Sequence, residues 1–287
     1  MKKRFLSLIT IVLAMVMCVF GLVGCKGGED PVPNKGFDMD LAKLVGIELG
    51  VEVEFVKIDW SVKEVELAEK KIDLIWNGMT INAEREAAFE ISTPYMANAQ
   101  VAVVKKANLS QYTTVNAIKS ANSIAVEHGS AADDLCRDSW GLSVSVNPAS
   151  DQMMALTEVK QNKSSVAIID KVMAGYLLQN SNYSDLAIVD VVLAEDEQYG
   201  IAARKGDKGT IDKINTALSN LYADGVVQRL AASYGLEDYL LDLTYESQYD
   251  SLSATDKAGW KELAEKKKIV IGYTVYAPIA FFEDVAA

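Results

Sequence analysis

Residues 72–95 read IDLIWNGMTINAEREAAFEISTPY, and the reading of this stretch decides the fold. Ile72, Leu74, Ile75 and Trp76 make the short apolar run of a buried strand. Asn77-Gly78 suits a tight turn and ends that run. Thr80 and Asn82 follow, and Ala83-Glu84-Arg85-Glu86-Ala87-Ala88 is strong helix-forming sequence. A strand that stops in a glycine turn and opens a helix presents free backbone N–H groups, which suits an anion. Arg85 adds a planar, bidentate partner for a carboxylate. The plainer alternative is a βα turn with a solvated arginine on its helix.

Upstream, Gly36-Phe37-Asp38 opens a helix whose apolar stripe runs through Leu41, Leu44 and Val45 until Gly50 stops it. Val51–Phe55 alternates with period two, as a strand does. A helix through Val62, Val65 and Leu67 leads into the Ile72 strand. Helix, strand, helix, strand, helix implies a parallel sheet with crossovers.

Downstream, Gln100–Lys106 is another strand, after which a fresh α/β series begins. It comprises strands at Ser123–Val126, Ser143–Val146, Val166–Ile169 and Leu186–Val191, with helices at Gln152–Lys160 and Lys171–Leu178 between them. Two lobes are the economical reading. Connections near Val101 and Gly200 would form a two-strand hinge between them. A long helix at Ile211–Ala223 and a further one reaching Gly235 follow. Ala254–Lys268 then reads as a charged helix and Lys268–Thr274 as a strand.

The pattern Asp73…Gly78-Met79-Thr80-Ile81…Glu84-Arg85…Ile91-Ser92…Pro94-Tyr95 resembles the signature of the bacterial extracellular solute-binding proteins that serve polar amino-acid ABC transporters. The resemblance covers nearly all of the chain after its leader and implies a periplasmic-binding-protein type 2 fold. It implies that Gly78, Thr80 and Arg85 hold a ligand's α-carboxylate, with Asn77 beside them. Ser130, at a second strand–turn–helix start (Val126-Glu127-His128-Gly129-Ser130), would complete that cradle. Asp170, ending the strand Val166–Ile169, would take the α-ammonium; a helix N-cap is its structural alternative.

The ligand's side chain would meet a set drawn from Tyr273, Thr274, Tyr276, Phe281, Trp60, Trp76, Glu127 and His128, with Tyr276 and Trp76 as the preferred walls. Thr274 stands where many relatives selective for cationic or amide side chains carry aspartate, which argues against arginine or lysine. Glu127, where a glutamine-binding relative has lysine, argues the other way. The side chain stays open.

The order of blocks departs from the family. The strand and aromatic-proline loop at Lys268–Asp284 begin the mature protein in relatives, just ahead of the Gly36-Phe37-Asp38 helix, whereas here they end the chain. A circular permutation is therefore expected, with Leu236–Ala254 as the new connection and Asn34 beside Asp284. The strand at Lys268–Tyr273 should then lie between or beside the strands at Val51–Phe55 and Ile72–Trp76. A domain-swapped dimer is the rival to the expected monomer.

Lys2-Lys3-Arg4 ahead of an apolar run from Phe5 to Val23 reads as an export signal, and Leu22-Val23-Gly24-Cys25 resembles a lipobox with Cys25 as the lipid site. An uncleaved membrane anchor is the alternative. The expected organisation is 1–24 signal peptide, 25–35 tether, 36–104 with 200–287 as lobe 1, and 105–199 as lobe 2. The body of the protein is expected at the extracellular face of the membrane or in the periplasm. The formal net charge of −12, with no basic cluster beyond the N-terminus, argues against binding nucleic acid through its phosphates. Three cysteines and a single histidine offer no disulfide, metal site or cofactor.

These readings converge on a lipid-anchored receptor that hands a polar L-amino acid to an ABC permease. A dehydratase-like enzyme, which the resemblance also reaches, is the first alternative, since Glu127 and His128 are capable of acid–base chemistry. A ligand-sensing domain is the second, disfavoured because no signalling pattern follows.

Overall fold

The structure, a computed structural model, describes residues 35–194 and 196–282. The expected signal peptide, the Cys25 lipid site, Asn34 and Asp284 lie outside the described residues.

Helix α1 (Phe37–Leu49) buries Phe37, Leu41, Ala42 and Val45 and ends at Gly50, whose left-handed φ of 70° returns its N–H to Gly46 and Ile47. Strand β1 (Glu52–Lys57) follows, then helix α2 (Lys63–Ala68) and strand β2 (Leu74–Thr80). All seven residues of β2 are buried, as a strand covered on both faces requires. Contrary to the turn expected at Asn77-Gly78, β2 runs straight through that pair. Its partner, the return strand β10 (Glu197–Arg204), is antiparallel to it, with Gly200 opposite Met79 and then Ala202 opposite Ile75. Four steps of β2 thus face two of β10, and Gly78, at φ 62°, absorbs the excess as a bulge. Helix α3 (Ala83–Ala88) starts later, capped by Asn82, whose Oδ1 accepts the Arg85 N–H at 2.8 Å.

Strands β3 (Phe89–Ile91) and β4 (Met96–Asn98) both pair with β10. The chain then enters a second sheet with β5 (Gln100–Lys105), which lies antiparallel to β8 (Val166–Asp170) and β9 (Leu186–Ile188). The first crossing therefore falls at Ala99 rather than after residue 104. The second falls ahead of Glu197 rather than at residue 199, because β10 hydrogen-bonds within the first sheet. Between β5 and β8 come helix α4 (Val115–Lys119), β6 (Ile124–Glu127), α5 (Ala131–Asp134), β7 (Val146–Ala149) and α6 (Gln152–Lys160). Helix α7 (Lys171–Leu177) follows β8. The sheet order is β7-β6-β8-β5-β9. Strand β7 sits three residues beyond its expected place. The alternating Ser143–Val146 segment leaves Val144 98% exposed, and Pro148 is tolerated because β7 is an edge.

After β10, helices α8 (Lys208–Ala223) and α9 (Val226–Ser233) pack back on α1. The connection that follows is anchored by the buried Asp212 of α8. Its carboxylate accepts from Tyr245 OH (2.9 Å), Ser247 Oγ (2.7 Å) and Gln248 N (2.6 Å). Leu236 and Leu243 are buried along it. Helix α10 (Ala258–Lys266) delivers β11 (Lys268–Tyr273), which enters the first sheet between β1 and β2 and parallel to both. Glu52 faces Lys268, Lys57 faces Tyr273, and Ile271 faces Leu74. This is the place expected for it. Without it, β1 and the N-terminal half of β2 would carry unpaired buried backbone groups. Lys35 and Phe281 exchange backbone hydrogen bonds of 3.2 and 2.8 Å, next to where Asn34 and Asp284 were expected to meet.

Candidate functional site

The carboxyl ends of β2, β11, β6 and β8 converge on one cleft, where open α/β sheets bind ligands. The first lobe contributes Trp60, Asn77, Gly78, Thr80 and Arg85, with Thr274 and Tyr276 from the loop after β11. The second contributes Glu127, Ser130, Ala131, Gln152 and Asp170. The residues expected to hold the ligand's carboxylate and ammonium all line this cleft, and of the expected side-chain walls Trp60, Glu127, Thr274 and Tyr276 do, whereas Trp76, Tyr273, Phe281 and His128 do not. Trp76 is 2% exposed and packs in the core, because residues alternate across a strand and Asn77 takes the cleft face. Tyr273 and Phe281 are also buried away from the cleft, and His128 turns outward to Asp133, 2.9 Å from its Oδ2. The walls stand close, leaving a void of about 10 Å³, room for the centre of one water. A larger ligand needs the lobes to part.

Gly78 has a different task from the one expected. Its N–H donates to Asp38 Oδ2 at 2.9 Å, an oxygen that also accepts from Tyr95 OH at 2.7 Å. Burial pushes the Asp38 carboxyl up to about 7, against the pull of these donors and of Trp76. A Cβ on residue 78 would lie 2.6 Å from the Tyr276 ring, so the glycine lets that ring close over the strand. Tyr276 OH in turn meets Tyr199 OH at 2.6 Å.

Asn77 Oδ1 accepts the Thr274 N–H at 2.5 Å, which fixes the amide and leaves its buried Nδ2 without a protein partner. Thr80 Oγ1 donates to Glu197 Oε2 at 3.1 Å. Arg85, 6% exposed, donates Nη1–H to the Thr80 carbonyl at 2.9 Å and Nη2–H to Asp134 of the other lobe at 3.3 Å. Its guanidinium keeps three further N–H groups. Ser130 Oγ caps α5 by accepting the Asp133 N–H at 3.3 Å, and retains its own hydrogen for donation.

Asp170 holds the N-cap position of α7 without capping it. Its Oδ1 accepts from Asn98 Nδ2 (2.5 Å) and Gln100 Nε2 (2.7 Å), and its Oδ2 accepts from Gln152 Nε2. Burial raises its pKa and these amides lower it. The Asn98 and Gln100 amides also donate to Glu197 Oε2, at 3.1 and 2.9 Å, so two carboxylates share two donors at the hinge. Asn98, Gln100, Gln152, Glu197 and Asp134 escaped sequence reading. The only local sign was two amides, Asn98 and Gln100, just ahead of the apolar run of β5. Glu127, 5% exposed, is pushed up to about 8 by burial and by the nearby Asp170 and Asp151 carboxylates.

The cleft thus offers the Arg85 guanidinium, the free Asn77 amide, the Ser130 and Thr274 hydroxyls and the Glu127 and Asp170 carboxyls, a set complementary to a zwitterion. The family profile of the bacterial extracellular solute-binding proteins, family 3, matches residues 29–237. The L-cystine-binding protein TcyJ of Escherichia coli is 26% identical over 220 residues, 74% of this chain and 81% of that protein. The arginine-binding extracellular protein ArtP of Bacillus subtilis is 29% identical, over 71% of this chain and 78% of that one. Among solved structures, an ABC uptake transporter substrate-binding protein from Streptococcus pneumoniae with bound histidine is similar with a TM-score of 0.64 at 32% identity, over 74% of this chain and 85% of that one.

Proposed function

The chain belongs to the bacterial extracellular solute-binding proteins, family 3, and from that membership we propose that it captures a polar L-amino acid between its lobes and delivers it to an ABC permease. One observation carries this reading: Arg85 of one lobe and Asp170 of the other line the same cleft. The ligand's carboxylate takes the free N–H groups of Arg85, Asn77 Nδ2 and the Ser130 hydroxyl. Its ammonium takes the remaining acceptor capacity of Asp170. The Thr80 hydrogen is spent on Glu197 and the Gly78 N–H on Asp38. Thr80 Oγ1 therefore offers lone pairs to the ammonium rather than a hydrogen to the carboxylate. Binding both ends of a zwitterion from opposite lobes favours the closed form, which is the signal a permease reads. A thermal-shift screen of the common amino acids tests this, since a ligand of the folded state raises the melting temperature. No shift with any of them at millimolar concentration would defeat the reading.

A lipid on Cys25 is the proposed anchor, and Cys25→Ser releasing the protein from the membrane fraction is its test. The block order is read as a circular permutation. Two observations support this: the family profile stops at residue 237, and β11, which lies beyond it, fills the centre of the first sheet.

One observation favours a second reading, an acid-catalysed dehydratase. Glu127, raised to about 8, holds a proton at neutral pH as a general acid does. An ancestral amino-acid-binding protein that is a precursor of cyclohexadienyl dehydratase is similar in structure, with a TM-score of 0.63 at 29% identity. Turnover of prephenate or arogenate separates the two readings.

A further inference from the structure

We propose that Glu127 is the specificity-determining group for the ligand's side chain and that it takes a cationic nitrogen there, an ammonium or a guanidinium. The inference rests on the amino-acid reading of the cleft.

Glu127 closes β6 and lines the cleft beside Gln152, and among the described residues no cation lies within ion-pair distance of its carboxyl. The charges around it come from each packed element. Asp170 stands at the end of β8, Asp151 ahead of α6, and Lys63 on α2. Lys63 is held by Glu64 (2.9 Å) and the Gly129 carbonyl (3.1 Å), so it does not turn into the cleft. On α5, Asp133 is engaged by His128 and Arg137, and Asp134 by Arg85. Asp170 already accepts three amide hydrogens.

The lining therefore contains two carboxyls against the one guanidinium of Arg85. A zwitterion leaves that balance unchanged. A cationic side chain neutralises the remaining carboxylate. An anionic one adds repulsion, and an apolar one buries the carboxyl with the Gln152 amide beside it but no counter-ion. The Thr274 position supplies no charge, so the discrimination falls to Glu127.

With the lobes closed as here and no ligand between them, Glu127 is held near 8 by burial and by Asp170, so in that state it carries a proton at pH 7. A cation expels that proton. Affinity for a cationic ligand therefore rises about tenfold per pH unit from pH 6 to about 8 and then levels.

Titration calorimetry of the full chain with L-arginine, L-lysine, L-glutamine and L-glutamate tests the proposal. Measurements run in two buffers of different ionisation enthalpy at pH 7, with Glu127→Gln alongside. The expected result is at least tenfold preference for a cationic amino acid over glutamine, with release of about one proton per ligand. In Glu127→Gln that preference falls at least tenfold and the proton release disappears. Equal or tighter binding of glutamine or glutamate by the unmodified protein overturns the inference without recourse to the variant. An unchanged preference in a folded Glu127→Gln overturns it as well. Failure of all four ligands, and of every other amino acid, to bind defeats the amino-acid reading itself.

Discussion

The Arg85 guanidinium on one lobe stands 3.3 Å from the Asp134 carboxylate on the other, while Arg85 is buried and the Asp134 side chain is 42% exposed. The ion pair thus spans the cleft mouth with one end in water. Solvent screening limits an exposed pair to about 0–1 kcal/mol. Removing a buried charge from its partner costs about 2–5 kcal/mol. Arg85→Met should therefore abolish measurable amino-acid binding, and Asp134→Asn should change Kd less than about fivefold. Calorimetry on both variants checks this. Micromolar binding by Arg85→Met within threefold of the unmodified protein would remove the carboxylate role.

Asp170→Asn should weaken α-amino acids far more than the corresponding deaminated acids. The substitution keeps an acceptor for Gln100 and Asn98 but withdraws the charge that an ammonium requires. Competition assays with paired ligands measure the two losses. Equal losses would assign Asp170 a structural role only.

Asp38 should make folding stability fall with pH. Its folded pKa of about 7 lies above the ordinary 3.8, so between those values the native state binds more protons than the unfolded one. Stability attributable to this group is therefore greatest at or below about pH 4 and is lost as pH rises to about 7, by up to ~4 kcal/mol. Asp38→Asn retains an oxygen to accept from Gly78 and Tyr95 and does not ionise. Urea denaturation should find the variant more stable than its parent at pH 8, with the difference shrinking or reversing at pH 4. A pH-independent difference would contradict the assignment.

Removing residues from Ser251 onward should abolish both folding and binding, because β1 and β2 lose the strand between them. A rearranged chain with residues 251–287 placed ahead of residue 35 should fold and bind, since Lys35 and Phe281 already pair. Light scattering of the unmodified protein should find a monomer, and an obligate dimer would point to strand exchange between molecules. Normal binding by the truncated chain would show that β11 is dispensable.

Periodicity and punctuation along the chain determine much of this protein by themselves. Helix α6 begins at Gln152 and ends at Lys160, where sequence spacing puts it, and β8 gains only Asp170 over its expected span. Arg85, Thr80, Ser130 and Asp170 were legible as cleft residues because each lies at or just beyond the carboxyl end of a strand, within a pattern that resembles the family's. Strand partners are another matter. An apolar run encodes burial but not which neighbour its backbone meets. The place of β11 beside β1 comes from the order of blocks the family resemblance implies, not from its own apolar run, and that β5 belongs to the second sheet follows only from packing the whole chain. The same holds for side chains. Glu197 reaches Thr80 across 117 residues of sequence, and Asp38 claims the Gly78 N–H across 40. A buried polar atom takes whichever partner the fold brings within about 3 Å. For that reason Gly78, read from sequence as a ligand group, is in the folded protein a partner of Asp38.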